Sequence, residues 1–340
     1  MQKTLKMMKE FAAIFSCEQS FLDNRFVGSY VLNLLGLHVA RLLISHAFFH
    51  FRLLLLTPLV NKADRKAFRE QGYLIKTDFL SEDAFSALKQ ELWQYKGEVR
   101  QVIEGDTLTE RVWVNLDSEQ AFPQCHQLIH HKKLSKLLRY TSSKNRLPLF
   151  HIENIIQHQG NGMKDTQKDT HCDIFHPTVK AWLFIDDTAE NGPFQYIPTS
   201  HRLSWEKIKW HYREALISSK SRQARIAGRY WTGAFRLSEQ DAIRMNLPPL
   251  KPVIVPANSI VIVNTHGFHC RGNAAQKTHR LAIWMQSRDN PFNPFPLPLP
   301  LKVAKMFDDF WRVESAKLDA KLKRNGELTL KSGGLTLPNH

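Results

Sequence analysis

Residues 169–202 read "DTHCDIFHPTVKAWLFIDDTAENGPFQYIPTSHR", and how this stretch is understood decides the fold. His171 and Asp173 stand one residue apart at the head of an apolar run. On an extended backbone alternate side chains share a face, so these two point together while Cys172 points away. An imidazole nitrogen beside a carboxylate oxygen suits Fe(II), Mn(II) or Zn(II). The following run, 179–187, reads as a buried strand. Asn191-Gly192 then makes a tight turn into another strand at 194–198.

Two ligands on one edge need a third from elsewhere. The segment "NSIVIVNTHGFHCRGNAAQKTHRLAIW" (258–284) offers it. Ile260–Val263 reads as a buried strand and "THGFH" turns out of it, so His266 or His269 reaches a barrel mouth. H-x-D with a distant His is the two-histidine-one-carboxylate facial triad, which covers one face of an octahedral iron and leaves three positions open. Arg280 opens the next strand, "RLAIW", and a guanidinium there clamps a carboxylate bidentately, as lysine cannot do so well. Gln157 shares a strand side with Ile155 and Gln159 and is a candidate hydrogen-bond partner for a co-substrate, since pockets carry few polar groups. Cys172 and Cys270 are expected to pack rather than ligate. His279 points away from Arg280's side, and His176, His201 and His211 are expected as surface or capping groups.

The chain has 340 residues, 43% of them hydrophobic and 8 of them Trp, which suits a packed globular protein. Its net charge of +15 favours anionic surroundings, whether nucleic acid, membrane surface or acidic substrate. No nucleic-acid-binding module or dense basic–aromatic track accompanies that charge, so nucleic acid is not expected as a partner. Four cysteines without C-x-x-C spacing fit a reduced, cytoplasmic compartment. The opening "MQKTLKMMKEFAAIFSCEQS" carries Glu10 and lacks the features of a signal peptide.

Strands are expected at Tyr73–Ile75, in a hairpin over 99–116, and at 148–158, 179–187, 194–198, 252–256, 259–265 and 280–286. Helices are expected after the N-cap Ser81, over 121–144, and over 301–323, with a loose tail beyond. The fold class is mainly β with helices: a jelly-roll, cupin-like core with an N-terminal helical extension and helical insertions. Three regions follow: 1–62, apolar, basic and helical; 63–300, the β core with a helical insertion at 203–250; and 301–340, a helix and tail. Residues 26–60 are the most apolar stretch, interrupted by Arg41 and Arg52. They are read first as core helices, otherwise as a surface helix against anionic lipid on the inner face of a membrane, and least readily as a span.

The motifs together resemble the phytanoyl-CoA dioxygenase-like Fe(II)/2-oxoglutarate oxygenases. The matching pieces are "THCD" (170–173), "VKAWLFIDD" with Trp182, "ENGPFQYIPTSHR", and "GFHCRG" with Arg280, over roughly 67–288. The resemblance implies a double-stranded β-helix, Fe(II) held by His171, Asp173 and His269, and 2-oxoglutarate anchored by Arg280 with Trp182 walling its pocket. It also implies O2 as oxidant, with succinate and carbon dioxide released as a small-molecule or lipid-linked substrate is hydroxylated. Related halogenases lack the carboxylate, so Asp173 argues for hydroxylation. Thr199 stands where the family usually has Gly, and the first 60 residues lie outside the resemblance. The competing expectation is a membrane-associated binding protein on a catalytically inactive barrel; a zinc hydrolase using the same ligands is a further one.

Overall fold

A computed structural model of the chain describes all residues except 1, 115, 117, 160, 161, 163, 224–233, 288, 289, 299 and 337–340. The strands are β1 (Tyr73–Lys76), β2 (Val99–Glu104), β3 (Thr107–Val114), β4 (Leu149–Gln157), β5 (Val179–Phe184) and β6 (Phe194–Tyr196). They continue as β7 (Lys251–Pro252), β8 (Ser259–Asn264), β9 (His269–Arg271), β10 (Thr278–Gln286) and β11 (Leu328–Lys331). Eight form one antiparallel sheet in the order β1-β8-β5-β10-β4-β3-β2-β11, and β7-β6-β9 form a second.

Side-chain alternation explains how the two sheets meet. On β5, β8 and β10 one parity (Leu183, Ile262, Ile283) packs into a core shared with helices. The other parity (Trp182, Val261, Trp284) meets Phe194 and Tyr196 of the small sheet. Both faces are covered, so these strands read as continuous apolar runs. The result is the jelly-roll core with helical additions that the sequence leads one to expect. Lys180 and Arg280 share the parity of Trp182 and Trp284, which turns two cations into the space between the sheets.

The helices are α1 (Gln2–Ala12), α2 (Tyr30–Leu34), α3 (Leu37–Leu55), α4 (Lys62–Gln71), α5 (Glu82–Gln94), α6 (Pro123–Ile129) and α7 (Lys132–Thr141). After the triad come α8 (Trp205–Gln223), α9 (Glu239–Arg244) and α10 (Leu301–Arg324). Ser81 caps α5 through its side chain, as expected. The single helix expected over 121–144 is two, because His131 is extended and its Nδ1 accepts from Leu134 N as the cap of α7. The segment expected as a strand at 252–256 pairs only at Lys251–Pro252. The tail expected to be loose adds β11 beside β2 and buries Leu335. Within the insertion, 224–233 lie outside the described residues.

Residues 26–60 do form helices packed on the main body, but with unusual facing. The buried stripe of α3 is His38, Arg41, Leu42, Ser45, His46, Phe49 and Arg52. Arg41 donates to the carbonyls of Ile14, Ser16 and Glu18, and Arg52 to those of Ser143, Pro291 and Asn293. Buried guanidiniums are tolerated when their donors are spent in this way. His176, His201 and His211, expected as surface or capping groups, are buried as well, with His201 meeting the Arg69 carbonyl in the last turn of α4.

Thr199, where the resemblance leads one to expect Gly, adopts φ +67, a region that penalises a β-branched residue. The turn is kept because Ser200 Oγ accepts from Phe268 N at 2.8 Å and donates to Ile197 O at 2.6 Å. Thr199→Gly should therefore raise unfolding stability by about 1 kcal/mol. Chemical denaturation of the two proteins measures it, and a loss of stability would show that the threonine is not strained.

Acid should weaken this packing. Burial pushes His38, His176 and His201 down to about 3, so the folded chain holds them neutral. Once unfolded, the same residues take up protons near pH 6.5. Below that pH the unfolded state binds more protons, and stability falls by about 1.4 kcal/mol per pH unit for each such histidine. Urea midpoints measured from pH 7 down to pH 5 should drop steadily; a flat profile would contradict neutral burial.

Candidate metal centre

The site begins with a backbone contact. His171 and His269 form an antiparallel bridge in which each amide donates to the other's carbonyl at 2.9 Å. The strand edge expected around His171 is thus a single residue bridged to His269 and to Arg236, and Asp173 is held beside it by its amide, which donates to Thr265 O at 3.1 Å. This places both imidazoles together, ring centres 4.6 Å apart. Asp173 Oδ1 lies 3.6 Å from His171 Nε2 and 3.6 Å from His269 Nε2. One donor atom from each of the three residues falls within 4.8 Å of the other two.

The histidine tautomers follow from the neighbours. His171 Nδ1 meets Asp169 O at 2.7 Å and His269 Nδ1 meets Gly267 O at 2.9 Å. A carbonyl only accepts, so both Nδ1 atoms carry the proton and both Nε2 lone pairs face the centre. His269 Nε2 is buried and has no hydrogen-bond partner among the described residues. Burial pushes His171 down to about 4, which keeps it neutral. Burial alone would raise the Asp173 carboxyl, but Lys180 and the two imidazoles hold it well below the usual range. Two imidazole nitrogens and one carboxylate oxygen fit a divalent cation, and ferrous iron in particular.

Around the three residues lies a cavity of about 540 Å3, lined by Glu153, Ile155, Trp182, Phe194, Arg280 and Trp284 among others. Lys180 pairs with Asp173 Oδ2 at 2.8 Å. Arg111 pairs with Glu153 at 2.6 Å and stacks over the ring of Trp284. Trp182 Nε1 donates to the same Glu153 at 3.3 Å. Arg271 pairs with Asp165 at 2.6 Å. Arg280 is buried, and burial followed by the charge of Arg271 lowers it to about 10. It donates to the Gly192 carbonyl and pairs with no carboxylate among the described residues. Gly192 sits at φ +72 with the Gln157 amide where a Cβ would go, so only glycine fits there.

Gln157 departs from expectation. It lies on the strand face of Ile155, but its Nε2 donates to Gly272 O at 2.9 Å and its Oε1 accepts from Ala274 N at 3.1 Å. Its amide clamps the 272–274 loop and is absent from the cavity wall. Of the two downstream histidines, His269 joins the cluster. His266 turns the other way, its Nδ1 donating to Ile174 O at 3.1 Å. Lys180, Arg111, Glu153 and Arg236 were not foreseen from the sequence. For Lys180 the signal was available, because it stands two residues before Trp182 on the same strand.

A jelly-roll core with two histidines and a carboxylate converging at one end has the form of a non-haem iron centre. Residues 68–232 match the family model described as phytanoyl-CoA dioxygenase (PhyH), which takes in His171 and Asp173 and stops short of His269 and Arg280. Over that segment, a little under half of the chain, it is similar to phytanoyl-CoA dioxygenase, as its motifs imply. No curated protein matches it. Among solved structures it is similar to HygX from Streptomyces hygroscopicus with nickel, 2-oxoglutarate and hygromycin B bound, at 15% identity and a TM-score of 0.42, covering 67% of this chain and 86% of that one. It is also similar to the epimerase SnoN in complex with Fe3+, alpha ketoglutarate and nogalamycin RO, at 20% identity and a TM-score of 0.43, covering 66% and 83%. A third is AviO1 from Streptomyces viridochromogenes Tue57, at 19% identity and a TM-score of 0.42, covering 71% and 98%.

Proposed function

We propose that this oxygenase hydroxylates an organic substrate held in the cavity between the two sheets, with Fe(II) bound by His171, Asp173 and His269 and 2-oxoglutarate anchored by Arg280. The observation that carries the reading is the pair of buried, outward-aimed Nε2 lone pairs beside an ionised Asp173. Ferrous iron, when bound, supplies the redox chemistry that couples loss of carbon dioxide from 2-oxoglutarate to oxygen transfer, with succinate as the other product.

The chain's own residues bind, orient and shield. Asp169 O and Gly267 O fix the two ring orientations. Lys180 neutralises the outer oxygen of Asp173 and leaves Oδ1 to the centre. Arg280 spends one donor on Gly192 O and keeps others for a carboxylate. Trp182, Phe194 and Trp284 give this otherwise charged cavity an apolar wall, which orders a substrate by shape. Retention of Asp173 as the third protein ligand favours hydroxylation over halide transfer. A binding protein on an inactive barrel would have no use for two buried imidazoles and a half-buried carboxylate gathered at one point.

Succinate release from 2-oxoglutarate in the presence of Fe(II) tests the assignment. Wild type should turn over and Asp173→Ala should lose nearly all activity; equal conversion by the two would end the proposal. Separately, Arg280→Ala should raise KM for 2-oxoglutarate by about 10- to 100-fold, the scale of a lost charge-assisted pair. Fe(II) affinity, followed anaerobically, should be unchanged. An unaltered KM would place the co-substrate elsewhere.

A further inference from the structure

The outward side of α3 is the unexplained surface of this molecule. Between residues 26 and 61 the only charged residues are Arg41 and Arg52, and both are buried. The exposed large side chains are instead Leu43, Ile44, Phe51, Leu54 and Leu55, with His50 among them, joined by Leu35 at the end of α2. Leu35 and Leu54 are 78% and 72% exposed. An ordinary surface helix does the reverse, burying its apolar stripe and wetting its polar one. An apolar patch without charge marks a surface that something else covers.

Aromatic contacts extend the patch. Phe51 meets Phe295 with ring centres 6.2 Å apart; Phe15 meets Phe292 and Phe11, each at 6.4 Å. Phe11, Phe15 and Phe295 are themselves exposed. The face therefore runs from α1 across the 292–295 segment to α3. Around it stand the exposed Lys6 and Lys9 of α1 and Lys220 of α8, which lies over the Tyr30 ring.

We infer that this face rests in the interfacial layer of an anionic lipid bilayer. A bilayer accepts a broad apolar surface without shape matching, and anionic headgroups complement both the lysine rim and the net charge of +15. A second copy of this chain is the poorer occupant, because pairing brings two strongly positive bodies together. The contact lies on the membrane and does not cross it: among the described residues no helix is long and apolar enough to span. The face also adjoins the ligand set. Ser16 and Gln19, just after Phe15, line a cavity of about 440 Å3 that Asp173 and Lys180 also line. On the oxygenase reading, this gives an amphiphile lying in the bilayer a way to Asp173. The surface itself stands on packing alone, so its failure would leave the metal chemistry untouched.

Cosedimentation of the full chain with phosphatidylcholine vesicles, with and without phosphatidylglycerol, tests it. Wild type should pellet with the anionic vesicles. Leu35→Glu with Leu54→Glu, both at exposed positions, should weaken binding by about tenfold or more. Lys6→Glu with Lys9→Glu should weaken it on anionic vesicles alone. Circular dichroism and unchanged succinate release in solution would show the variants folded. Wild type remaining in the supernatant, variants binding like wild type, or a wild-type dimer split by the leucine substitutions would each overturn the inference.

Discussion

Two amide–carbonyl hydrogen bonds between His171 and His269 are the contact on which the functional end of the molecule depends. They join the segment leading into β5 to the first residue of β9, and so connect the large sheet to the small one. The same local device is then used twice. In each histidine Nδ1 donates to the carbonyl two residues earlier, Asp169 in one case and Gly267 in the other. A backbone pairing sets where the rings stand and a backbone hydrogen bond sets how they turn, so no long side chain has to be ordered to form the donor set. The cost in conformational entropy is met by sheet formation, before any ligand arrives.

The space between the sheets holds an unusual amount of charge for a protein interior. Arg111 is balanced by Glu153, Arg271 by Asp165, and Lys180 by Asp173. Removing one member of such a pair leaves its partner buried and uncompensated, which costs more than the pair contributes. Arg280 breaks this pattern, since its partner is the Gly192 carbonyl. A guanidinium lowered to about 10 by burial and by Arg271 stays charged at neutral pH, and an incoming carboxylate relieves what the fold leaves unbalanced.

Much of this was legible in the sequence, and the reasons for the misses are physical. Two-sided burial leaves runs such as "VKAWLF" and "SIVIVN", and parity within them decides which residues face which layer. The pair His171 and Asp173 could be read from spacing, whereas the choice between His266 and His269 is made by the turn after β8, which spacing does not describe. Gln157 has the right parity and the wrong role, because parity fixes a face and says nothing of how far along it the amide reaches. The polar stripe of α3 (residues 38, 41, 45, 46 and 52) is visible at helical spacing. Convention turns such a stripe toward water, and only the positions of the carbonyls awaiting Arg41 and Arg52 reverse it.

That reversal ties the N-terminal helices to the metal ligands. His38 Nε2 lies 3.3 Å from His211 Nδ1, His211 stacks on His266 with ring centres 5.2 Å apart, and His46 meets His266 at 4.5 Å. Lys207 of α8, fully buried, donates to the carbonyls of Ser200 and His266. A continuous layer of neutral rings thus runs from α3 through α8 to the turn that precedes His269. An apolar side chain in place of Lys207 would leave those two carbonyls without this donor, at a cost typical of orphaned buried polar groups. The polar stripe faces inward because Arg41 and Arg52 spend their donors on buried carbonyls and His38 meets His211 there. The leucines on the opposite side of α3 are exposed as the geometric consequence: a helix that supplies polar groups to the interior from one face can present only the other to its surroundings.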